Sequence, residues 1–350
     1  MTTIAIATVN VAEMLPRRKP SRADGEDFYR VLANSPPTRS VLTGYPSFAM
    51  LLRKKRLYLI LAVLVFATYA IYRLEPFVRI QMDDDTLSAT MLRAELKAAK
   101  IGYVEGSSRR LRYLQIGQDP DKPLLVFIHG APSSGAWWLS LLRDSTLRAQ
   151  ANLLAIDRPG YGGSGLGDPM TSVQEQAENV ATVISNRRQA GQKVILHGSS
   201  YGGTVSARIA MDYPRLVDGL LLQSASMAPS EEYTYWLTNP NSLWALSWLL
   251  PSGLNSANHE KLAHEAELQD MTDRWPRIDA VTVVVHGTDD WLIYPRNAYY
   301  ACDRLANAPI LIHHMVAGKQ HDLLRTAPDL LKNYLRFLIR EVQPPGPRPD

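Results

Sequence analysis

The chain is nearly free of cysteine. Cys302 is the single thiol in 350 residues, which excludes an internal disulfide and a cysteine-rich metal site. It also lacks a strong net charge, since 38 Lys and Arg against 34 Asp and Glu leave +4 at pH 7. That small excess is unevenly placed. Residues 1–56 hold ten cations and four acids, so they carry 10 − 4 = +6, and the remainder carries 4 − 6 = −2. The basicity belongs to the front of the chain, which argues against a nucleic-acid-binding domain and for a local basic segment. No internal repeat is visible. Residues 1–47 lack any sustained helical or alternating pattern and contain Pro16, Pro20, Pro36, Pro37 and Pro46, so a disordered basic tail is expected over 1–52.

Charge is absent altogether from Leu57–Tyr72, LYLILAVLVFATYAIY, which follows Arg53-Lys54-Lys55-Arg56. As a helix this run spans roughly 24 Å, short of the ~30 Å hydrocarbon core. Snorkelling by Arg56 and Arg73 and interfacial seating of Tyr58, Tyr69 and Tyr72 would make up the difference. The expectation is a transmembrane helix over 53–74 that contacts the lipid bilayer. A cleaved signal peptide is the rival reading, favoured if translation starts at Met50. A buried core helix is a third, although it would carry four adjacent cations into its first turn. The positive flank places the N-terminus in the cytoplasm. The domain after it would then lie outside the cytoplasm, in the periplasm if the protein is bacterial.

After a connecting amphipathic segment at 75–100, short apolar runs alternate with helical patterns. Strands are expected at Arg112–Ile116, Leu124–Ile128, Asn152–Ile156, Val194–Leu196, Gly219–Leu222, Val281–Val285 and Ile310–His313. Helices are expected at Trp137–Leu147, Ser172–Gln189, Tyr201–Tyr213, Asn297–Asn307 and Pro328–Arg340. This rhythm predicts an α/β fold, a mostly parallel sheet with helices on both faces, whose functional loops sit at the carboxyl ends of the strands. Residues 227–280 break it. They carry Trp236, Trp244, Trp248 and Trp275 without a clear strand, and read as a helical cap. Residues 343–350 form a proline-rich end.

The stretch Val194–Thr204, VILHGSSYGGT, sets two serines between an apolar run and glycines. A nucleophile on a tight strand-to-helix turn needs small residues two places before and after it. Ser200 has Gly198 and Gly202 there, whereas Ser199 has His197 and Tyr201, so Ser200 is the candidate nucleophile. Three further groups would complete the chemistry. His321, in AGKQHDLL, is the candidate base. Asp289 and Asp290, just past a strand end, are candidate carboxylates to orient it. The backbone N–H groups of Ala131 and Tyr201 are candidate oxyanion donors.

These motifs stand in a particular order. His129-Gly130-Ala131-Pro132 comes first, then Asp157-Arg158-Pro159-Gly160-Tyr161-Gly162-Gly163-Ser164, Gly198–Gly202, Gly287–Pro295 and His321. In this the chain resembles the α/β-hydrolase superfamily over about residues 100–340. The resemblance implies an α/β-hydrolase fold over 101–342, with a mostly parallel eight-stranded sheet and a cap. It also implies a Ser200–Asp290–His321 triad, with Asp289 left as the alternative acid because Pro295 comes one residue later than the family's spacing. The implied reaction is serine hydrolysis of an ester or related acyl bond through an acyl-enzyme, with no cofactor. The substrate would be a small, partly apolar acyl compound. The alternative is a non-hydrolytic or C–C bond-cleaving member of the same fold: an acyltransferase, a lyase or a cofactor-free oxidoreductase.

Other patterns point to ordinary structural roles. Gly160–Gly165 matches G-x-G-x-x-G but runs into Pro169 rather than a helix, so it reads as a loop beside the site. His259–His264, HEKLAH, is one residue too long for a zinc H-E-x-x-H pair and reads as a solvated cap helix; no metal is expected. His129, His286, His313 and His314 read as structural, and Trp137, Trp138 and Trp291 as core or pocket wall.

Overall fold

A computed structural model describes residues 48–231 and 250–343 of the protein. The expected tail up to residue 47, the proline-rich end from 344, and cap residues 232–249 with Trp236, Trp244 and Trp248 lie outside the described residues. The chain divides into two units, Met1–Phe66 and Ala67–Asp350.

The described part of the first unit is the start of helix α1, Phe48–Arg79. This helix begins ahead of the expected boundary at 53 and continues past 74. Between Leu57 and Tyr69 its apolar side chains are exposed around the whole circumference, as Leu59, Val65 and Phe66 illustrate. Among the described residues no helix is long and apolar enough to cross a membrane, so the span expected over 53–74 is not found there. The charge-free run Leu57–Tyr72 is bounded by Arg56 on one side and Arg73 on the other.

In the second unit the connecting segment is not a simple linker. It holds the end of α1 and helix α2, Asp84–Arg93, whose start is capped by the Asp83 carboxylate accepting from the Thr86 N–H at 2.7 Å. The sheet then follows with eight strands: β1 Lys100–Glu105, β2 Arg110–Ile116, β3 Leu124–Ile128, β4 Asn152–Ile156, β5 Val194–Ser199, β6 Gly219–Gln223, β7 Val281–Gly287 and β8 Leu311–Val316. Their spatial order is β1-β2-β4-β3-β5-β6-β7-β8. Strand β2 pairs antiparallel with both β1 and β4, and all later pairs are parallel. Seven strands coincide with runs legible in the sequence. Strand β1, KIGYVE, was not among them. It is an edge strand with one buried residue, Val104, so it never needed the apolar pattern that betrays a buried strand.

The remaining labelled helices are α3 Val173–Arg187, α4 Tyr201–Asp212, α5 Ser252–Asp270, α6 Arg296–Cys302 and α7 Pro328–Val342. The region expected as one helix at 137–147 is a 3₁₀ turn at Gly135–Trp138 followed by two short helical pieces. Side chains alternate along the buried strands into two cores. Leu124, Val126 and Ile128 join Val180, Ile184 and Val205 of α3 and α4 on one face. Leu125 and Phe127 join Leu331, Leu335 and Leu338 of α7 on the other.

This topology places the site. From β3 the chain moves outward to β4, then returns across β3 to β5. That reversal opens a crevice beyond the carboxyl ends of β3 and β5. The two strands end in register, Ile128 opposite Gly198, so the His129 turn and the Ser200 turn must be neighbours. Strands β7 and β8 also end together, Gly287 opposite Val316. Asp290 and His321 follow those ends by three and five residues.

Candidate active site

Ser200 sits at φ 55° and ψ −127°, between the end of β5 and the first residue of α4. This left-handed geometry is uncommon for a residue with a Cβ and marks local strain at the turn. The surroundings hold it in place. Ser200 N–H donates to the Gln223 carbonyl at 3.0 Å, and Gly203 N–H donates to the Ser200 carbonyl at 2.8 Å. The flanking glycines are required sterically. A Cβ on Gly198 would collide with the Gly202 carbonyl, and one on Gly202 with the Ile128 carbonyl. Ser199 is buried, whereas Ser200 is partly open to solvent.

The His129–Ala131 turn lies directly against this elbow. A Cβ on Gly130 would stand 2.8 Å from the Ser200 Cβ, so only glycine permits the approach. His129 is fully buried. Its Nδ1–H donates to the Gly130 carbonyl at 2.7 Å, while its Nε2 accepts from the Arg158 N–H at 2.9 Å. Burial, reinforced by the adjacent Arg158 cation, holds its pKa well below the ordinary value. It is therefore a neutral imidazole that orients the Gly130–Ala131 peptide. The Ala131 N–H donates to no acceptor among the described residues.

In the loops that follow β8 and β7, His321 Nδ1 is 2.8 Å from Asp290 Oδ2. Asp290 Oδ1 accepts from the N–H groups of Leu292 and Ile293, each at 3.0 Å. His286 Nε2 donates to the Ile293 carbonyl at 2.9 Å and stands 3.3 Å from Asp290 Oδ2. Burial alone would raise the Asp290 pKa, but the hydrogen bonds from His286 and His321 and the His321 charge outweigh it, so the pKa falls far below the carboxylate range. Asp289 is exposed, and its carboxylate accepts from the Thr288 hydroxyl. Of the two carboxylates left open by the sequence, Asp290 is the one that meets His321. The two loops are bound to each other, with Asp289 N–H donating to the Lys319 carbonyl at 2.9 Å and Gly318 N–H to Thr288 Oγ1 at 2.9 Å. Among the described residues no hydrogen bond joins Ser200 Oγ to His321, a contact that often tightens only when substrate is bound.

The structure also reveals site neighbours that the sequence did not disclose. Helix α5 is not the solvated helix that HEKLAH suggested: Glu260 and His264 are both buried. Glu260 faces Arg158 at 2.6 Å and accepts from the Tyr161 hydroxyl at 2.6 Å and from Gln176 at 2.9 Å. The Arg158 guanidinium lies over the Tyr161 and Tyr201 rings. The His264 ring is 4.5 Å from that of Tyr201 and hydrogen-bonds Ser226. The cap helix is thus bolted through a buried ion pair to the loop after β4 and rests on the residue that follows Ser200. The sequence offered only the four-residue spacing of Glu260 and His264, which puts both on one helix face. Trp138 is a core residue stacked on Phe127, Trp275 is buried against Tyr300, and Trp291 is 54% exposed beside Asp290. No group of His, Cys, Asp or Glu able to hold a metal occurs among the described residues.

A strained serine on a strand-to-helix turn, a glycine turn pressed against it, and an aspartate-bound histidine from the last strand loop define an α/β protein with a serine elbow. Residues 125–333 match the family model described as "Alpha/beta hydrolase family", and the chain belongs to that family. Among curated proteins it is similar to epoxide hydrolase 1 of Caenorhabditis elegans, 32% identical over 34% of this chain and 29% of that protein. It is also similar to the pimeloyl-[acyl-carrier protein] methyl ester esterase of Vibrio campbellii, 30% identical over 40% of this chain and 50% of that protein. The chain thus spans half or less of the length of these two relatives. Among solved structures, a bacterial membrane phospholipase A superposes with a TM-score of 0.55 at 19% identity, over 82% of this chain and 99% of that one. A putative lipase from Acinetobacter baumannii gives a TM-score of 0.55 at 19% identity, over 73% and 97%. At these identities the structural likeness speaks for the fold.

Proposed function

We propose that the protein is a serine hydrolase that cleaves an ester or related acyl bond through an acyl-enzyme on Ser200. The observation that carries this reading is the 2.8 Å hydrogen bond between His321 and Asp290, in loops that leave the same carboxyl edge of the parallel sheet as the Ser200 elbow. In the proposed cycle, His321 Nε2 takes the Ser200 hydroxyl proton as Oγ attacks the substrate carbonyl. Asp290 keeps Nδ1 protonated and stabilises the imidazolium. The Ala131 and Tyr201 N–H groups receive the oxyanion. His321 then returns the proton to the leaving alcohol, and afterwards activates a water that releases the acid. The family and the esterase-named and lipase-named relatives support a small acyl substrate. Treatment with a fluorophosphonate tests the proposal. Labelling of the wild type that disappears in Ser200→Ala is expected; a folded wild type that does not label would refute it.

We also infer that Leu57–Tyr72 attaches the protein to a lipid bilayer, with residues before it cytoplasmic and the catalytic domain outside the cytoplasm. Its support is the ring of exposed apolar side chains on α1, which water solvates poorly, next to the Arg53–Arg56 cluster. A reporter fused after Asp350 should be active outside the cytoplasm. Activity inside would reverse the orientation, and recovery of the full-length chain in the soluble fraction would remove the attachment.

A further inference from the structure

We infer that Gln81 is a positioning residue for the oxyanion loop, supplied by the segment that follows α1 and precedes the part of the chain matched by the family. The inference rests on the hydrolase reading above and adds to it the device that sets one of its oxyanion donors.

Two loops flank the site on the β3–β4 side: Ala131–Gly135 and Gly160–Ser164. They are bridged from below by Asp157, which accepts from Gly135 N–H at 2.6 Å and from Gly163 N–H at 2.8 Å. Gln81 bridges them again from outside. Its Nε2 donates to the Ser133 carbonyl at 3.0 Å, and its Oε1 accepts from Gly162 N–H at 2.8 Å. The same amide lies against the first turn of cap helix α5, where a Cβ on Gly253 would stand 3.0 Å from Gln81 Nε2. Three segments from three parts of the chain therefore meet on one carboxamide.

The neighbours of Gln81 fasten the segment itself. Ser134 Oγ donates to the Ile80 carbonyl at 2.5 Å. Asp84 pairs with the buried Arg112 guanidinium at 2.9 Å, and Arg112 pairs in turn with Asp157 at 2.7 Å. The amide, the hydroxyl and the ion-pair chain all converge on residues 133–135, two to four places after the Ala131 donor. An oxyanion hole works only if its donors are held in place before charge develops, and a displacement of about 1 Å can lower a rate ~100-fold. A glutamine is suited to this task because its one planar head offers a donor and an acceptor. Both are used here.

The test compares full-length wild type with Gln81→Leu, Gln81→Glu and Asp83→Ala. Asp83 caps α2 without touching either loop, so its variant serves as the purely structural control. Active sites are counted by fluorophosphonate labelling, and kcat and KM are measured per labelled site on a short ester. Hydrogen exchange is followed over 129–136. Gln81→Leu is expected to lower kcat about tenfold, leave KM within about twofold and speed exchange at 129–136. Gln81→Glu, which keeps the Gly162 bond but loses the Ser133 bond, should fall between. Asp83→Ala should lower the unfolding midpoint alone. Unchanged kcat per site in Gln81→Leu, or unchanged exchange at 129–136, would overturn the inference. If the wild type neither labels nor turns over, the hydrolase reading fails separately, and the exchange comparison still decides whether Gln81 holds the loop.

Discussion

The 2.8 Å contact between His321 Nδ1 and Asp290 Oδ2 joins two loops that follow the last two strands of the sheet. Asp290 is 2% exposed and spends its other oxygen on two backbone N–H groups. Its carboxylate is fixed in direction before the histidine arrives.

The two adjacent carboxylates should therefore behave very differently. Asp290→Asn is expected to lower kcat by about 10³–10⁴-fold by removing the charge that holds the imidazole tautomer. Asp289→Asn should stay within about twofold. Steady-state kinetics on the two variants checks this, and a larger loss at Asp289 would reverse the assignment. The lowered Asp290 pKa also has a stability consequence. Below an unfolded value of ~4 the unfolded chain binds a proton that the native site resists, so this contribution is present above that pH and is lost as pH falls further.

A second pH effect is set at His197. Burial pushes its pKa down to about 3, against a smaller opposing effect of its hydrogen bond to Gln223. Between pH ~6.5 and 3 the unfolded chain takes up a proton that native His197 refuses. Stability should fall as the pH drops through that window, by up to about 1.4 kcal/mol per pH unit from this group. Urea midpoints between pH 7.5 and 5 should decline less steeply in His197→Gln than in wild type. Equal slopes would mean that His197 is not the source.

The ion pair between Arg158 and Glu260 should prove asymmetric under mutation. Both side chains are buried, so Glu260→Ala leaves an uncompensated cation and should lower unfolding free energy by roughly 3–5 kcal/mol. Removing both charges in Arg158→Met with Glu260→Met should recover much of that loss. A double variant as unstable as the single one would show that packing at the cap helix, not the stranded charge, carries the effect.

The elbow tolerates no side chain at position 202, because a Cβ there meets the backbone carbonyl of Ile128 rather than a movable side chain. Gly202→Ala should lower kcat/KM at least tenfold. Gly191→Ala, at a surface glycine with nothing near its Cβ but a positive φ of 76°, should reduce stability slightly and leave kcat/KM unchanged. Loss of activity at Gly191 would indicate that backbone strain in general, not crowding at the elbow, is responsible.

Much of this arrangement was legible in the sequence because its causes are local. A strand buried on both faces is predominantly apolar, so the runs of β3, β4, β5 and β7 announce themselves. The elbow must have small residues at 198 and 202, which singles out Ser200 over Ser199. Strand β1 escaped notice because an edge strand is under no such constraint. The contact of Asp290 with His321 was open between two neighbours, since spacing along a lengthened loop does not say which carboxylate turns inward.

The sequence by itself determined the fold class and singled out Ser200 and His321 as candidates, because periodicity and steric demand act over a few residues. The tertiary structure decided which aspartate meets His321. It also showed that Glu260 and His264 are buried, and that Gln81 reaches across to the loops at 133 and 162. Those outcomes depend on which segments the sheet order brings together across 30 to 100 residues of chain, and no local pattern encodes that distance.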